Sequence, residues 1–253
     1  MTYLNLASNC LGPKGAKRVA KAIKKNGALV TVNISNNYLH AAGTKVIAEA
    51  LKDNAIMTEL DISSNAATWD GNKHGDMSGV MDIANAIPTM RAMVKVDISK
   101  NNIRAEGGKA LAKALQDNQV IQELNIAANN LGRGPKTGST DMSGVIAIAD
   151  AIPTVGALTS LNISNNMLCG KYSDGYGDAP YTVAGIKALC EMLQTNTTLL
   201  ELDISKNFLG AEGSKILADG LSTNGALTSL NLSENTLCGI NEYALADAIG
   251  KHQ

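Results

Sequence analysis

The sequence predicts an α/β solenoid: eight repeats of basic length 28, stacked so that their strands form one parallel β-sheet on the concave side of an arc and their α-helices line the convex side. Three observations predict it. An eleven-residue phrase, clearest as L-T-S-L-N-L-S-E-N-T-L at 227–237, recurs from Met1, Leu29, Met57, Met93, Ile121, Leu158, Leu199 and Leu227, with apolar residues at its first, fourth and sixth positions and Asn at its ninth. The starts lie 28, 28, 36, 28, 37, 41 and 28 residues apart, a period typical of stacked-repeat architectures. Finally, 45% of the residues are hydrophobic but only 3% aromatic, which suits thin layers of Leu, Ile, Val and Ala.

Repeat 2 shows how a unit folds. Val32 and Ile34 alternate with Thr31, Asn33 and Ser35, the two-residue period of a short strand with one buried and one exposed face. Across the repeats the exposed positions form columns: Asn5, Asn33, Asp61, Asp97, Asn125, Asn162, Asp203 and Asn231 in one, Ala7, Ser35, Ser63, Ser99, Ala127, Ser164, Ser205 and Ser233 in the next. Asn37 then offers an amide to the backbone groups of the turning chain, and stacking makes these residues a ladder. Gly43, Val46, Ile47, Ala50 and Leu51 fall at helical spacing with Lys45, Glu49 and Lys52 on the other face, an amphipathic helix. Asn54 is placed to end it in the left-handed conformation, as are Asn26, Asn118, Asn196 and Asn224. In repeats 3 and 5, Pro88 and Pro153 close the helix instead. One strand and one helix cannot bury their own apolar faces, so neighbours must stack. Helices are wider than the roughly 4.8 Å strand spacing, so the stack curves with the strands inside.

The 28-residue unit has Gly six residues after the Asn and apolar residues four and eight further on: Gly43, Ile47, Leu51; Gly107, Leu111, Leu115; Gly213, Leu217, Leu221. This pattern resembles the ribonuclease-inhibitor-like class of leucine-rich repeats, which includes ribonuclease inhibitor, the sensor regions of NOD-like receptors and the Ran GTPase-activating protein. The resemblance spans nearly the whole chain and is specific for fold. It implies a surface for binding another protein without catalysis, or alternatively a GTPase-activating regulator that donates a loop arginine.

With no linker-like tract, 1–253 reads as a single repeat domain. The ends carry no evident polar cap: a last helix at 243–249 stops short of another strand, so the sequence suggests a fragment of a longer protein or end-to-end self-association through uncapped terminal repeats. Lys and Arg number 22 against 23 Asp and Glu, giving a net charge of −1 and no general footprint for nucleic acid or membrane. The start has no signal-peptide pattern, and no apolar run approaches the roughly 18 residues of a span. The four cysteines (Cys10, Cys169, Cys190, Cys238) show no disulfide or zinc spacing, and three N-x-S sequons, at Asn33, Asn162 and Asn231, lie on strands where sugars would obstruct the sheet. The expected location is cytoplasmic.

Repeats 3, 5 and 6 are longer by 8, 9 and 13 residues (36, 37 and 41 minus 28), each between the Asn and the helix, so all three inserts leave the rim at the carboxyl ends of the strands. Repeats 3 and 5 share D-M-S-G-V at 76–80 and 141–145 and A-I-P-T at 86–89 and 151–154, which suggests block duplication. Of eight aromatic residues (one Trp, six Tyr, one Phe), Trp69, Tyr172, Tyr176 and Tyr181 lie in or beside the inserts, among Gly, Ser and Asp. That is the composition of recognition loops, or of surface excursions that pack back on the rim. The candidate partner-binding residues are therefore Trp69, Lys73, Arg133, Tyr172 and Tyr176 from the inserts, with Glu59, Lys95, Glu123 and Glu201 from the more variable inner column that also holds Tyr3, Thr31, Ser160 and Ser229. The acidic members of that column favour a basic partner. The loop arginine of the alternative would be Arg133, in a Gly-Arg-Gly setting, or Arg104 on the same rim one repeat earlier.

No catalytic, metal-binding or cofactor-binding residues are expected. His40, His74 and His252 have no nucleophile or metal partners in spacing, and Asp70-x-Asn72-x-His74-Gly75 fails as a calcium loop because His replaces an acidic ligand and Met81 stands where the bidentate Glu belongs. The glycine-rich inserts lack the Lys-Ser/Thr ending of a phosphate loop.

Overall fold

The structure is a computed structural model and describes residues 1–70, 75–134, 139–170 and 180–237. Eight three-residue strands, β1 (Tyr3–Asn5), β2 (Thr31–Asn33), β3 (Glu59–Asp61), β4 (Lys95–Asp97), β5 (Glu123–Asn125), β6 (Ser160–Asn162), β7 (Glu201–Asp203) and β8 (Ser229–Asn231), form one parallel sheet in chain order. Equivalent repeat positions pair throughout, as in Thr31↔Glu59 and Glu59↔Lys95. Between successive strands run α1 (Gly12–Lys25), α2 (His40–Leu51), α3 (Ser78–Ala86), α4 (Arg104–Leu115), α5 (Ser143–Ala151), α6 (Ala184–Thr195) and α7 (Gly210–Leu221). The protein is thus an α/β solenoid with its sheet on one side and its helices on the other. The last helix expected at 243–249 lies outside the described residues.

The core lies between sheet and helices. In repeat 2 the layer is Leu29, Val32, Ile34, Leu39, Ile47 and Leu51, all 1% exposed or less. Burying each such side chain contributes about 1.5–3 kcal/mol, an upper estimate because the unfolded chain already hides part of that surface.

The Asn ladder forms as expected. Asn37 Oδ1 accepts the N–H of Asn9 at 2.9 Å, while Nδ2 donates to the carbonyls of Leu6 (2.7 Å) and Ile34 (3.0 Å). Asn65, Asn101, Asn129, Asn166, Asn207 and Asn235 repeat the pattern, accepting from the repeat before and donating within their own. Asn suits the position because one buried side chain must both accept and donate. The residues on either side of it, such as Asn36 (φ 52°) and Tyr38 (φ 54°), are left-handed in all eight repeats. This conformation is uncommon for residues other than glycine, and the ladder overrides it.

Three expectations change. The Asn/Asp column does more than expose polar side chains on the sheet: each Oδ1 accepts the N–H two residues on, as Asp61 does from Ser63 at 3.0 Å, and so turns the chain out of the strand. The adjoining Ser/Ala column is not an exposed one: Ser99, Ala127 and Ser205 are buried and most of the others half-buried, because that turn carries them inward. At the helix ends, Asp53 (φ 59°) and Asp117 (φ 60°) take the left-handed conformation, not Asn54 and Asn118. Those Asn side chains instead accept from the N–H groups two and three residues on, aiming the chain at the next strand, and Asn26 and Asn196 have ordinary negative φ. Where Pro88 and Pro153 stand, the helix tightens into a 3-10 turn, Ile87–Thr89 or Ile152–Thr154, and the threonine Oγ1 accepts the N–H of Asp53 or Asp117 from the preceding repeat.

The inserts leave this stack intact because each is closed at its base. The N–H of its last residue donates to the carbonyl three residues after the ladder Asn: Asp76 to Thr68 (3.1 Å), Asp141 to Gly132 (3.0 Å) and Thr182 to Cys169 (3.0 Å). With residues 69–76, 133–141 and 170–182 set aside, Gly79, Gly144 and Gly185 fall six residues after their Asn, where Gly43, Gly107 and Gly213 stand in the short repeats.

Candidate protein-recognition surface

Each strand presents its first and third residues away from the core, and the parallel register aligns them into two rows. From β3 to β7 these rows carry Glu59, Asp61, Asp97, Glu123, Glu201 and Asp203 against a single cation, Lys95. Lys95 Nζ lies 2.5 Å from Glu123 Oε2, with Glu59 its register partner on the other side. The hydrogen bond to Glu123 holds the ammonium above the usual lysine range against the opposing effect of burial, and the charges of Glu123, Glu59 and Asp97 add to the rise. Glu201 accepts from Ser160 Oγ at 3.2 Å and Glu59 from Thr31 Oγ1 at 3.4 Å. The four inner-column candidates therefore lie on one exposed, strongly acidic face.

The rim candidates are placed differently. Trp69 is half-buried at the base of the first insert, and its carbonyl accepts the Ala41 N–H at the start of α2 (3.0 Å). Tyr181, at the end of the third insert, donates its hydroxyl to the Leu209 carbonyl (2.5 Å) and accepts from Gly213 N–H (3.2 Å), which fastens it to the start of α7. Burial raises its phenol above the usual tyrosine range, with the Cys169 thiol adding to the rise. Tyr181 thus packs back onto the rim, and the main chain of Trp69 is tied to it. Lys73, Tyr172 and Tyr176 lie outside the described residues, as do Asn72 and His74 of the rejected calcium loop. Arg133 is not at a loop tip: its N–H donates to the Asn130 carbonyl (2.9 Å) and it bridges to Thr140 across the insert base. That insert and the one in repeat 3 bracket the insert-free repeat 4, leaving an open cavity of about 530 Å³ lined by Gly75, Met77, Arg104, Glu106, Arg133 and Asp141, among others.

Two features were missed from the sequence. Tyr38 (56% exposed) and Phe208 (37% exposed) follow the ladder Asn in repeats 2 and 7, where the left-handed backbone turns them out along the rim. Tabulating the residue after each ladder Asn would have found them. The helix α1 exposes Lys14, Lys17, Arg18, Lys21, Lys24 and Lys25 and contains no acid. The net charge of −1 hid this stripe by averaging it with the acidic sheet. Among the described residues no His, Cys, Asp or Glu cluster is arranged to hold a metal, and no helix is long and apolar enough to cross a membrane.

The family described as "Leucine Rich repeat" matches residues 1–20, 91–112 and 195–217. Ribonuclease inhibitor from Sus scrofa is 25% identical over an aligned part that covers 53% of this chain, which spans 31% of that relative's length. Among solved structures, a leucine-rich repeat-containing protein from Legionella pneumophila superposes with a TM-score of 0.57 at 21% identity, covering 94% of this chain and 68% of that one, a likeness of fold. Repeat length, ladder and similarity agree: the chain is built of leucine-rich repeats and is similar to the ribonuclease-inhibitor-like class.

Proposed function

We propose that residues 1–253 form one non-catalytic recognition domain, working in the cytoplasm, that grips a basic protein surface with the exposed sheet face and the rim inserts after β3, β5 and β6. The observation that carries it is the charge of that face: six carboxylates against one ammonium on a chain whose net charge is −1. Opposite charge on a partner speeds encounter and selects against acidic competitors. Leucine-rich repeat proteins generally mediate protein–protein contacts, and the curated relative is named for inhibiting a protein. Cytoplasmic residence fits the free thiols of Cys169 and Cys190. A GTPase-activating role through Arg133 has less support, because the main chain of that residue is tied into the insert base.

The test is affinity capture from a cytosolic extract with the wild-type chain and with Glu59→Lys/Glu123→Lys/Glu201→Lys. Proteins of basic surface should be retained by the first, released as salt is raised, and lost from the second. Retention of the same proteins by both, independent of salt, would overturn the reading.

A further inference from the structure

We propose that the outward face of α1 is a docking surface for an anionic membrane leaflet, on which the helix lies lengthwise with its cations among the lipid headgroups. Those cations sit opposite the buried residues of the helix, Ala16, Val19, Ala20 and Ile23. Lys14, Arg18, Lys21 and Lys25 stand at i, i+4, i+7 and i+11, one straight ridge of about 16 Å at roughly 1.5 Å per residue. Lys17 and Lys24 flank it on the side of α2.

Nothing in the fold neutralises this ridge. None of its cations is ion-paired among the described residues, and the two carboxylates that share a groove with it are engaged elsewhere, Glu49 by Lys52 at 3.6 Å and Asp82 by Lys45 at 3.7 Å. Each of the other described helices carries an acid of its own: Glu49, Asp82, Glu106, Asp150, Glu191 and Glu212 in turn. Like charges three and four residues apart destabilise a helix, and Lys14, in the first turn, also opposes the helix dipole. An array that works against its own helix and has no partner within the chain points to one outside it.

The composition of the face selects among polyanions. Besides the cations only Ala22 is exposed on α1, so the apolar or aromatic anchor of a protein interface is missing, and lysine is depleted from such interfaces. Single-stranded nucleic acid is held by stacking aromatics, of which α1 has none, and readout of a duplex relies on guanidinium forks, whereas all the cations here but Arg18 are lysine ammoniums. A cluster of roughly four to eight lysines and arginines on one amphipathic helix is what an anionic leaflet attracts, through many weak contacts of no fixed geometry. The rest of the chain sets the orientation: the acidic sheet lies on the side away from the helices, so the field that draws α1 down turns Glu59, Glu123 and Glu201 away from the lipid. The contact is peripheral, since α1 exposes no large apolar side chain to enter the bilayer. It does not depend on the sheet face having a partner.

The experiment is co-sedimentation of the chain with vesicles of phosphatidylcholine alone and of phosphatidylcholine and phosphatidylserine in equimolar mixture, the latter also in competition with a DNA duplex or poly-L-glutamate. It is repeated on the ridge variant Lys14→Gln/Arg18→Gln/Lys21→Gln/Lys25→Gln, on the charge-matched Lys109→Gln/Lys113→Gln/Lys187→Gln/Lys215→Gln from α4, α6 and α7, and on Glu59→Lys/Glu123→Lys/Glu201→Lys. The ridge variant relieves repulsion on an exposed face, so it should stay folded, which circular dichroism checks. Binding to the mixed vesicles alone, lost as salt is raised, about a hundredfold weaker in the ridge variant and no weaker in the other two, would bear the surface out. Failure to bind the mixed vesicles, equal binding to phosphatidylcholine, or an equal loss in the ridge and charge-matched variants would overturn it. Displacement by the duplex or by polyglutamate, at charge equal to that of the exposed lipid, would also overturn it and reassign the ridge to a nucleic acid or an acidic protein.

Discussion

Asn129 shows what a single ladder residue does. Its Oδ1 accepts the Asn101 N–H at 2.7 Å and its Nδ2 donates to the carbonyls of Ile98 (3.0 Å) and Ile126 (3.1 Å), all in the interior. Asn129→Ala strands the buried Asn101 N–H and takes one of two donors from each carbonyl, Ile98 keeping Asn101 Nδ2 and Ile126 keeping Asn166 Nδ2, so a loss of roughly 1–3 kcal/mol is expected. Asn129→Asp keeps the acceptor but turns an oxygen towards two carbonyls, and should lower the urea midpoint at pH 7 further than Ala does. A midpoint for Asp above that for Ala would show that the donor half of the amide is unimportant. The buried thiols give a second test at this scale. Desolvation pushes Cys169 and Cys190 up to about 12 from an ordinary 9.0. A pKa raised by folding means their contribution to stability is complete below about pH 9 and is lost as pH climbs towards 12. In a Cys10→Ser/Cys238→Ser background, the folded chain should therefore resist maleimide at pH 7 and react only as urea unfolds it, and its urea midpoint should fall across pH 9–12.

Among the elements, the helices of repeats 3 and 5 pack against their predecessors through glycine. A Cβ on Gly144 would lie 2.6 Å from Ala105 Cα and 2.7 Å from the Ala105 carbonyl oxygen, and one on Gly79 would lie 2.8 Å from the Ala41 carbonyl oxygen. Backbone cannot give way as a flexible side chain can. Gly144→Ala should therefore lower stability by about 2 kcal/mol despite the better helix propensity of alanine. Gly27→Ala, which meets no atom within 4 Å and has no positive φ, should be neutral or slightly stabilising, and denaturant titration of both variants checks the contrast. The shared D-M-S-G-V segments made this duplication visible, and the spacing of Leu, Val, Ile and Asn placed every strand, because stacking forces one residue type on each buried position. The division of labour at the helix ends was hidden: an Asn fits equally as a left-handed residue or as a side-chain acceptor, and only the coordinates show that Asn54 accepts while Asp53 turns. Glu59, Lys95, Glu123 and Glu201 could be aligned from register alone. The orientation of Tyr181 could not, since an aromatic in a loop reads alike whether it packs on the rim or leaves it.

For the whole molecule, stability and recognition are separable, because the repeats stack through strand, ladder and helix while the inserts are closed off at the rim. Repeat 5 offers the strongest test. Removing residues 133–141 joins Gly132 to Met142 and leaves a repeat of 28 residues (37 minus 9), with Gly132 three residues and Gly144 six residues after Asn129. Those are the positions of Gly210 and Gly213 after Asn207, so the shortened chain has a ready-made route into the helix. The deletion discards the insert and Arg133 with it, but no ladder bond and no buried side chain of the sheet layer. It should fold with a urea midpoint close to wild type and preserve amide-exchange protection in β4, β5 and β6. Loss of protection spreading from β5 into its neighbours would mean that the insert supports the stack, and the repeats could then no longer be treated as a continuous scaffold bearing detachable loops.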